Sequence, residues 1–292
     1  MFKQLGLIGC GLMGGSFALA MKRAGLVEHV VGYSKSPSTV IHAQKLGVVD
    51  QAAESALLAV SGSDIVLIAV PVAATEATFR AIRHLVNPKT LFMDVGSTKG
   101  NVVEAAQRTL KERVRSFVPA HPIAGKEVAG IAHADATLYK DCQVILTPLA
   151  ETDAALIARA HVAWTGVGAQ VRTMTPEAHD AAFAAVSHLP HLLSFAAFLA
   201  VAHQPEGARF LDVAGPGFRD FTRIAASDAK VWRDILLANR SQVLMQAEQF
   251  KTVLYQFEAA MREGDGGAIE ALIKEAAKGR AAWQVNGSRS GS

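Results

Sequence analysis

The chain has 292 residues, with 29 Lys and Arg against 26 Asp and Glu, for a formal net charge of +3 with histidine neutral. That near balance lacks the basic excess and like-charge blocks of a nucleic-acid binder, so phosphate-backbone recognition is excluded while small anions stay open as partners. Half of the residues are hydrophobic and 19% are charged, which excludes intrinsic disorder, and at roughly 100 to 200 residues per domain the length fits two domains.

Cys10 and Cys142 form no CxxC pair, so neither a disulfide framework nor a cysteine zinc site is expected, and a reducing, cytoplasmic compartment is. Lys3 and the apolar stretch 5–21 imitate a secretory signal, but Gly6, Gly9, Gly11, Gly14 and Gly15 crowd the part a signal peptide would make helical. The longest continuous apolar run, 65–74, is shorter than the roughly 18 residues of a membrane span, so no membrane segment is expected.

From the N-terminus, apolar β-rich runs at 5–9, 30–34, 65–70, 91–95, 117–120, 143–147 and 170–173 alternate with helical patterns. They are apolar throughout, as in parallel strands covered by helices on both faces. This predicts an α/β fold, an N-terminal dinucleotide-binding domain over 1–174 with a mostly parallel sheet. At Thr175-Pro176-Glu177 the texture changes: Thr175 can cap a helix with Pro176 in its first turn, and no strand follows. Residues 175–285 are therefore expected to form an all-α domain. In it, a long apolar helix over 176–202, interrupted near Pro190, is too hydrophobic all round for a surface and should be buried between subunits. Helices over 229–262 and 267–283 and a disordered tail over 286–292 complete the expectation.

Gly9-Cys10-Gly11-Leu12-Met13-Gly14 matches GxGxxG between a predicted strand and a predicted helix. The first glycine permits the turn, the second lets a pyrophosphate approach the backbone, and the third lets helix and strand pack closely. Leu12 and Met13 within the motif, with Val70 and Pro71 at the end of the 65–70 run, complete the expected cofactor contacts. About 20 residues on, where an NAD site places an acid, stand Ser34, Lys35 and Ser36. Two hydroxyls and a cation suit a ribose 2′-phosphate, so NADP is expected, with NAD as the alternative.

Ser97, after the 91–95 strand, reads either as a helix cap or as a polar contact near the nicotinamide. His121, at the start of His121-Pro122-Ile123-Ala124-Gly125, is expected on a loop at the carboxyl end of the sheet, where an imidazole can take a substrate proton. His188 and His191 lie three apart; a metal is the weaker reading and polar groups facing a cleft the stronger. Arg219 and Arg223 are four apart, and either forms a carboxylate clamp or joins Asp220, Asp228 and Asp234 in a surface ion-pair cluster.

The motifs GCGLMGG, DVGSTKG, HPIAGKE, SHLPH and GFRDFTRIAASDAKVWRD, in that order over nearly the whole chain, resemble the prephenate and arogenate dehydrogenases of tyrosine biosynthesis. The resemblance implies a Rossmann domain, a helical domain that makes a homodimer, and an active site in the cleft between them. It implies NAD(P)-dependent oxidative decarboxylation of prephenate to 4-hydroxyphenylpyruvate, or of arogenate to tyrosine. On it, His121 is the general base, Ser97 bonds the substrate hydroxyl near the nicotinamide, and Arg223 holds a carboxylate. His188 and His191 line the pocket, His191 in direct contact, and Glu127 and Asp220 pair with Arg223 to gate the site. Lys126 departs from the threonine of many prephenate-preferring relatives and leaves the substrate open between prephenate and arogenate. Other two-domain β-hydroxyacid-type dehydrogenases share the plan but give no reason for HPIAG and FTRIA together. A non-catalytic nucleotide sensor would make His121, Ser97 and Arg223 coincidental.

Overall fold

Apolar runs punctuated by glycine, proline and polar residues fold as strands because a segment greasy on both faces must be covered on both faces. In a computed structural model describing residues 1–126 and 128–283, they form β1 (Phe2–Ile8), β2 (Val27–Tyr33), β3 (Gln51–Ala52), β4 (Ile65–Ile68), β5 (Leu91–Asp94), β6 (Phe117–Val118), β7 (Ala120–Pro122), β8 (Gln143–Leu146) and β9 (Gln170–Thr173). The first six make one parallel sheet in the order β3-β2-β1-β4-β5-β6. The chain therefore leaves β1 in both directions, and the crevice between the carboxyl ends of β1 and β4 is where such sheets receive ligands.

Helices α1 (Leu12–Arg23), α2 (Pro37–Lys45), α3 (Ala56–Val60), α4 (Thr75–Ile82), α5 (Gly100–Leu110) and α6 (Ala154–Gly166) cover the two faces. On one face Phe17 of α1 packs 4.7 Å from Trp164 of α6, centroid to centroid, and the Tyr139 hydroxyl donates to the Met13 carbonyl at 2.7 Å. On the other, Phe79 of α4 meets Phe117 edge-on at 5.0 Å. Each fully buried side chain of this size contributes roughly 1.5–3 kcal/mol, and β1 and β4 send side chains into both clusters.

The run at 117–120 is two strands. Phe117 and Val118 pair with β5, Pro119 turns the chain, and β7 joins β8 antiparallel while β8 pairs with β9 in parallel. The second, three-stranded sheet (β7-β8-β9) and the short β3 are additions to the expected parallel pattern. Proline has no amide to continue the first ladder, and Ala120 N–H is instead satisfied by Asp94 Oδ1 at 3.0 Å.

The helical domain comprises α7 (Pro176–Phe183), a π-helical turn (Ala184–His188), α8 (Leu189–Ala202), α9 (Gly207–Asp212), α10 (Pro216–Thr222), α11 (Ala229–Ala238), α12 (Arg240–Glu263) and α13 (Gly266–Ala282). Thr175 Oγ1 accepts the Ala178 amide at 3.1 Å and starts α7. The irregularity expected near Pro190 lies just upstream, where Pro190 offers no amide to the preceding turn and a π turn accommodates the defect. The helix expected over 229–262 breaks at Asn239. There the side chain turns inward and donates to the Asp180 carbonyl at 2.8 Å.

Pro176–Ala202, expected as a long apolar helix, is not one regular α-helix, though by length and composition it is apolar enough to cross a membrane, with a mean hydropathy of 1.6. Nor is it wholly buried within one chain: Phe198 and Leu199 are 39% and 50% exposed. Its inner face carries His179, Asp180, His188 and Ser194, all buried and hydrogen-bonded within the protein. The 286–292 tail lies outside the described residues.

Candidate active site

The three motif glycines separate by what surrounds them. Gly9 has φ +97°, and a Cβ there would lie 2.2 Å from the Ala69 carbonyl oxygen. A Cβ at Gly14 would lie 2.3 Å from the Gly9 carbonyl oxygen. At Gly11, the residue before α1, a Cβ would meet nothing within 4 Å. Two glycines are thus demanded by the protein itself, and the middle one stands before open space at an uncapped helix N-terminus, where a pyrophosphate is received. The cradle fits a dinucleotide.

That space is a cleft of about 870 Å³ lined from the sheet side by Gly11, Leu12, Met13, Val70, Pro71 and Ser97, and from the helical domain by His191, Ile224, Trp232 and Ile235. Lys126 lines its mouth, and its ammonium is 2.9 Å from Asp135 Oδ2. Ser34, Lys35 and Ser36 lie outside the lining, at the end of β2, where the Tyr33 carbonyl accepts the Gly9 amide at 2.8 Å.

Ser97 is not the helix cap: Lys99 occupies that position of α5, and the capping carboxylate comes from α7. Asp180 accepts the Lys99 amide at 2.8 Å and the Gly100 amide at 2.8 Å. The Lys99 ammonium is fully buried, paired with Asp94 and donating to the Ala120 carbonyl at 2.8 Å.

His121 sits on β7 itself, 9% exposed, rather than on an open loop after the sheet, and it is not among the residues that line the cleft. Its Nδ1 is 2.8 Å from His179 Nε2, and His179 Nδ1 is 2.8 Å from Asp180 Oδ1. Phe183 packs on both rings, with centroids at 4.8 and 4.5 Å. Burial, reinforced by His179, Lys99 and His188, holds the pKa of His121 well below the ordinary imidazole value. Burial also lowers that of His179, against the pull of Asp180. For Asp180 burial acts upward, but the bonds from His179, Lys99 and Gly100 outweigh it and keep the carboxylate ionised.

His191 lines the cleft, stacked on Trp232 at 3.5 Å and donating from Nδ1 to the Ser187 carbonyl at 2.9 Å. His188 does not line it, contrary to expectation. The extra residue of the π turn sends it inward, where it is 1% exposed, near Asn239 Nδ2 at 3.1 Å, with its pKa held down to about 4 by burial. Arg223 opens a 3-10 turn (Arg223–Ala226) whose Ile224 lines the cleft. The Asp220 carboxylate, expected on Arg223, is 3.5 Å from Arg219 instead, its immediate neighbour in α10. Glu127 lies outside the described residues. His179, Asp180, Lys99, Asp94 and Trp232 were not singled out as site residues from sequence.

A nucleotide cradle at a sheet switch point, a buried neutral histidine and a cleft closed by a helical domain define a two-domain dinucleotide-dependent dehydrogenase. The sequence comparisons narrow this class. The nucleotide-binding domain model of prephenate dehydrogenase matches residues 17–173 and the dimerization domain model matches 175–275, and the chain belongs to the prephenate dehydrogenase family. It is 36% identical over 247 residues to the Bacillus subtilis prephenate dehydrogenase, covering 84% of this chain and 66% of that protein. It is 33% identical over 287 residues to a cyclohexadienyl dehydrogenase of Zymomonas mobilis, covering 98% and 97%. The crystal structure of the Aquifex aeolicus prephenate dehydrogenase with hydroxyphenyl propionate and NAD+ superposes with a TM-score of 0.88 at 34% identity, covering 96% of this chain and 98% of that one.

Proposed function

We propose that the cleft oxidises prephenate, with loss of carbon dioxide, to 4-hydroxyphenylpyruvate in tyrosine biosynthesis. The observation that carries this reading is the buried, neutral His121 in a chain of this family that also carries a dinucleotide cradle. The bound nicotinamide supplies the hydride acceptor, held by Gly9, Gly11, Leu12, Met13, Gly14, Val70 and Pro71. His121 takes the proton of the ring hydroxyl as hydride leaves the same carbon. Decarboxylation then aromatises the ring, and His121 returns the proton to the phenolate oxygen, so no separate acid is needed. Ser97 hydrogen-bonds near the hydroxyl, His191 contacts the substrate from its Trp232-stacked position, and Arg223 holds a carboxylate.

NADP is favoured over NAD because no acid follows β2 and Ser34, Lys35 and Ser36 stand there. Arogenate is a second substrate on one observation: Lys126, where many prephenate-preferring relatives carry threonine, lines the cleft and places a cation there. A homodimer follows from the dimerisation domain and the exposed apolar residues of α8, and the two unpaired thiols support a cytoplasmic setting. A steady-state matrix of prephenate and arogenate with NAD+ and NADP+ tests all three assignments. Reduced cofactor is expected with prephenate, at a higher kcat/KM for NADP+. No reduced cofactor in any of the four combinations would remove the reading.

A further inference from the structure

Beyond the base itself, a buried line of groups runs from His121 through His179 to Asp180, crossing from β7 into the helical domain. We propose that Asp180 and His179 are positioning residues that hold His121 as its Nδ1–H tautomer and leave the Nε2 lone pair for the substrate proton. The proposal rests on the reading of His121 as general base.

The hydrogen-bond directions admit one solution. Asp180 already accepts the Lys99 and Gly100 amides, and an ionised carboxylate has no proton to give, so His179 Nδ1 must donate to it. Burial keeps His179 neutral, and a neutral ring protonated at Nδ1 carries its lone pair at Nε2. That lone pair is 2.8 Å from His121 Nδ1, which must then donate. The opposite tautomer of His121 would set two lone pairs against each other in a buried site.

Everything packed around the pair restricts it further. Phe183, one turn beyond His179, lies against both rings. The Lys99 ammonium, between Asp94 and the Ala120 carbonyl, fixes the backbone one residue before His121. His188 approaches from the π turn. Asp180 caps α5 from the other domain, so docking of the domains and orientation of the base depend on one carboxylate. When His121 accepts the substrate proton at Nε2, its Nδ1 proton can move onto His179 Nε2, placing the positive charge beside Asp180. Return of both protons restores the resting pair, so no proton is gained or lost.

Ring-nitrogen NMR on the wild-type protein, assigned by difference against His121→Asn, reads the tautomer directly. The expected spectrum has His121 protonated at Nδ1 and a lone pair at Nε2. His179→Leu is expected to lower kcat by about 10²-fold with KM little changed. His179→Gln, whose amide oxygen can accept from His121 Nδ1, should recover most of that loss at matched melting temperature. A proton on Nε2 in the wild type, or full kcat in folded His179→Leu, overturns the proposal. If His179→Leu does not fold, the wild-type spectrum and the Gln variant decide. If the wild type turns over neither substrate, the functional reading falls, and the tautomer assignment is still judged by the spectrum.

Discussion

The proposed base must be neutral and oriented, and at His121 each of these demands is met by a different part of its surroundings. Burial supplies neutrality, His179 the orientation, and the turn of the chain at Pro119 the placement on β7. Substitution with asparagine keeps a polar group but removes the titratable nitrogen. His121→Asn is therefore expected to bind substrate and cofactor nearly as well while losing ~10² to 10⁴-fold in kcat. Single-turnover kinetics with a separate cofactor-binding titration would show whether the loss lies in the chemical step, and unchanged turnover would remove His121 from its role. His121 drew notice as a histidine following an apolar strand, and its role as base came from the family resemblance of the surrounding motif. His179 and Asp180 drew none: their bonds reach 58 and 81 residues along the chain, and within α7 they look like ordinary polar residues of a helix.

The element that most repays separate treatment is the strand-turn-helix from β1 to α1, because its glycines are required for different reasons. Gly14→Ala places a Cβ against the Gly9 carbonyl, the Ala69 side chain and the Leu7 side chain, and overpacking of this kind costs about 1–3 kcal/mol. Gly11→Ala meets nothing in the protein and has an ordinary negative φ of −91°. Gly14→Ala is thus expected to melt several degrees lower, whereas Gly11→Ala should melt like the wild type and show its defect as a raised cofactor KM. Equal melting losses in both would contradict a ligand-facing role for Gly11. The π turn ahead of α8 makes a comparable division between two histidines. His188 and His191 are three residues apart, yet one is sealed inside and the other lines the cleft. Three-residue spacing sets them about 60° apart around the helix, and the register left by the π turn points the first at Asn239 and the second at the cleft.

At the scale of the whole molecule, His121, His179 and His188 all have folded pKa values below that of a free imidazole. Between those values and the unfolded value near 6.5, the unfolded chain binds more protons than the folded one. Stability from this source is therefore complete above about pH 6.5 and lost as the pH falls, by up to ~1.4 kcal/mol per pH unit for each histidine titrating only in the unfolded state. For His188, whose folded value is about 4, the loss continues down to that pH. Melting temperature should be flat from pH 8 to 7 and fall steadily from 6.5 to 5. A flat profile across that lower range would mean the histidines are not buried neutral, and the base assignment would weaken with it.

By itself the sequence determined the strand-and-helix texture of the two parts and the GxGxxG cradle, because local periodicity and turn chemistry are written in consecutive residues. Only the tertiary structure decided that the run at 117–120 divides at Pro119, that His188 turns inward to Asn239, and that Asp180 caps α5 while steering His121. Those outcomes depend on pairings between segments distant in sequence. In a low-dielectric interior each buried polar group must find a partner, and which partner is within reach is settled by packing rather than by spacing along the chain.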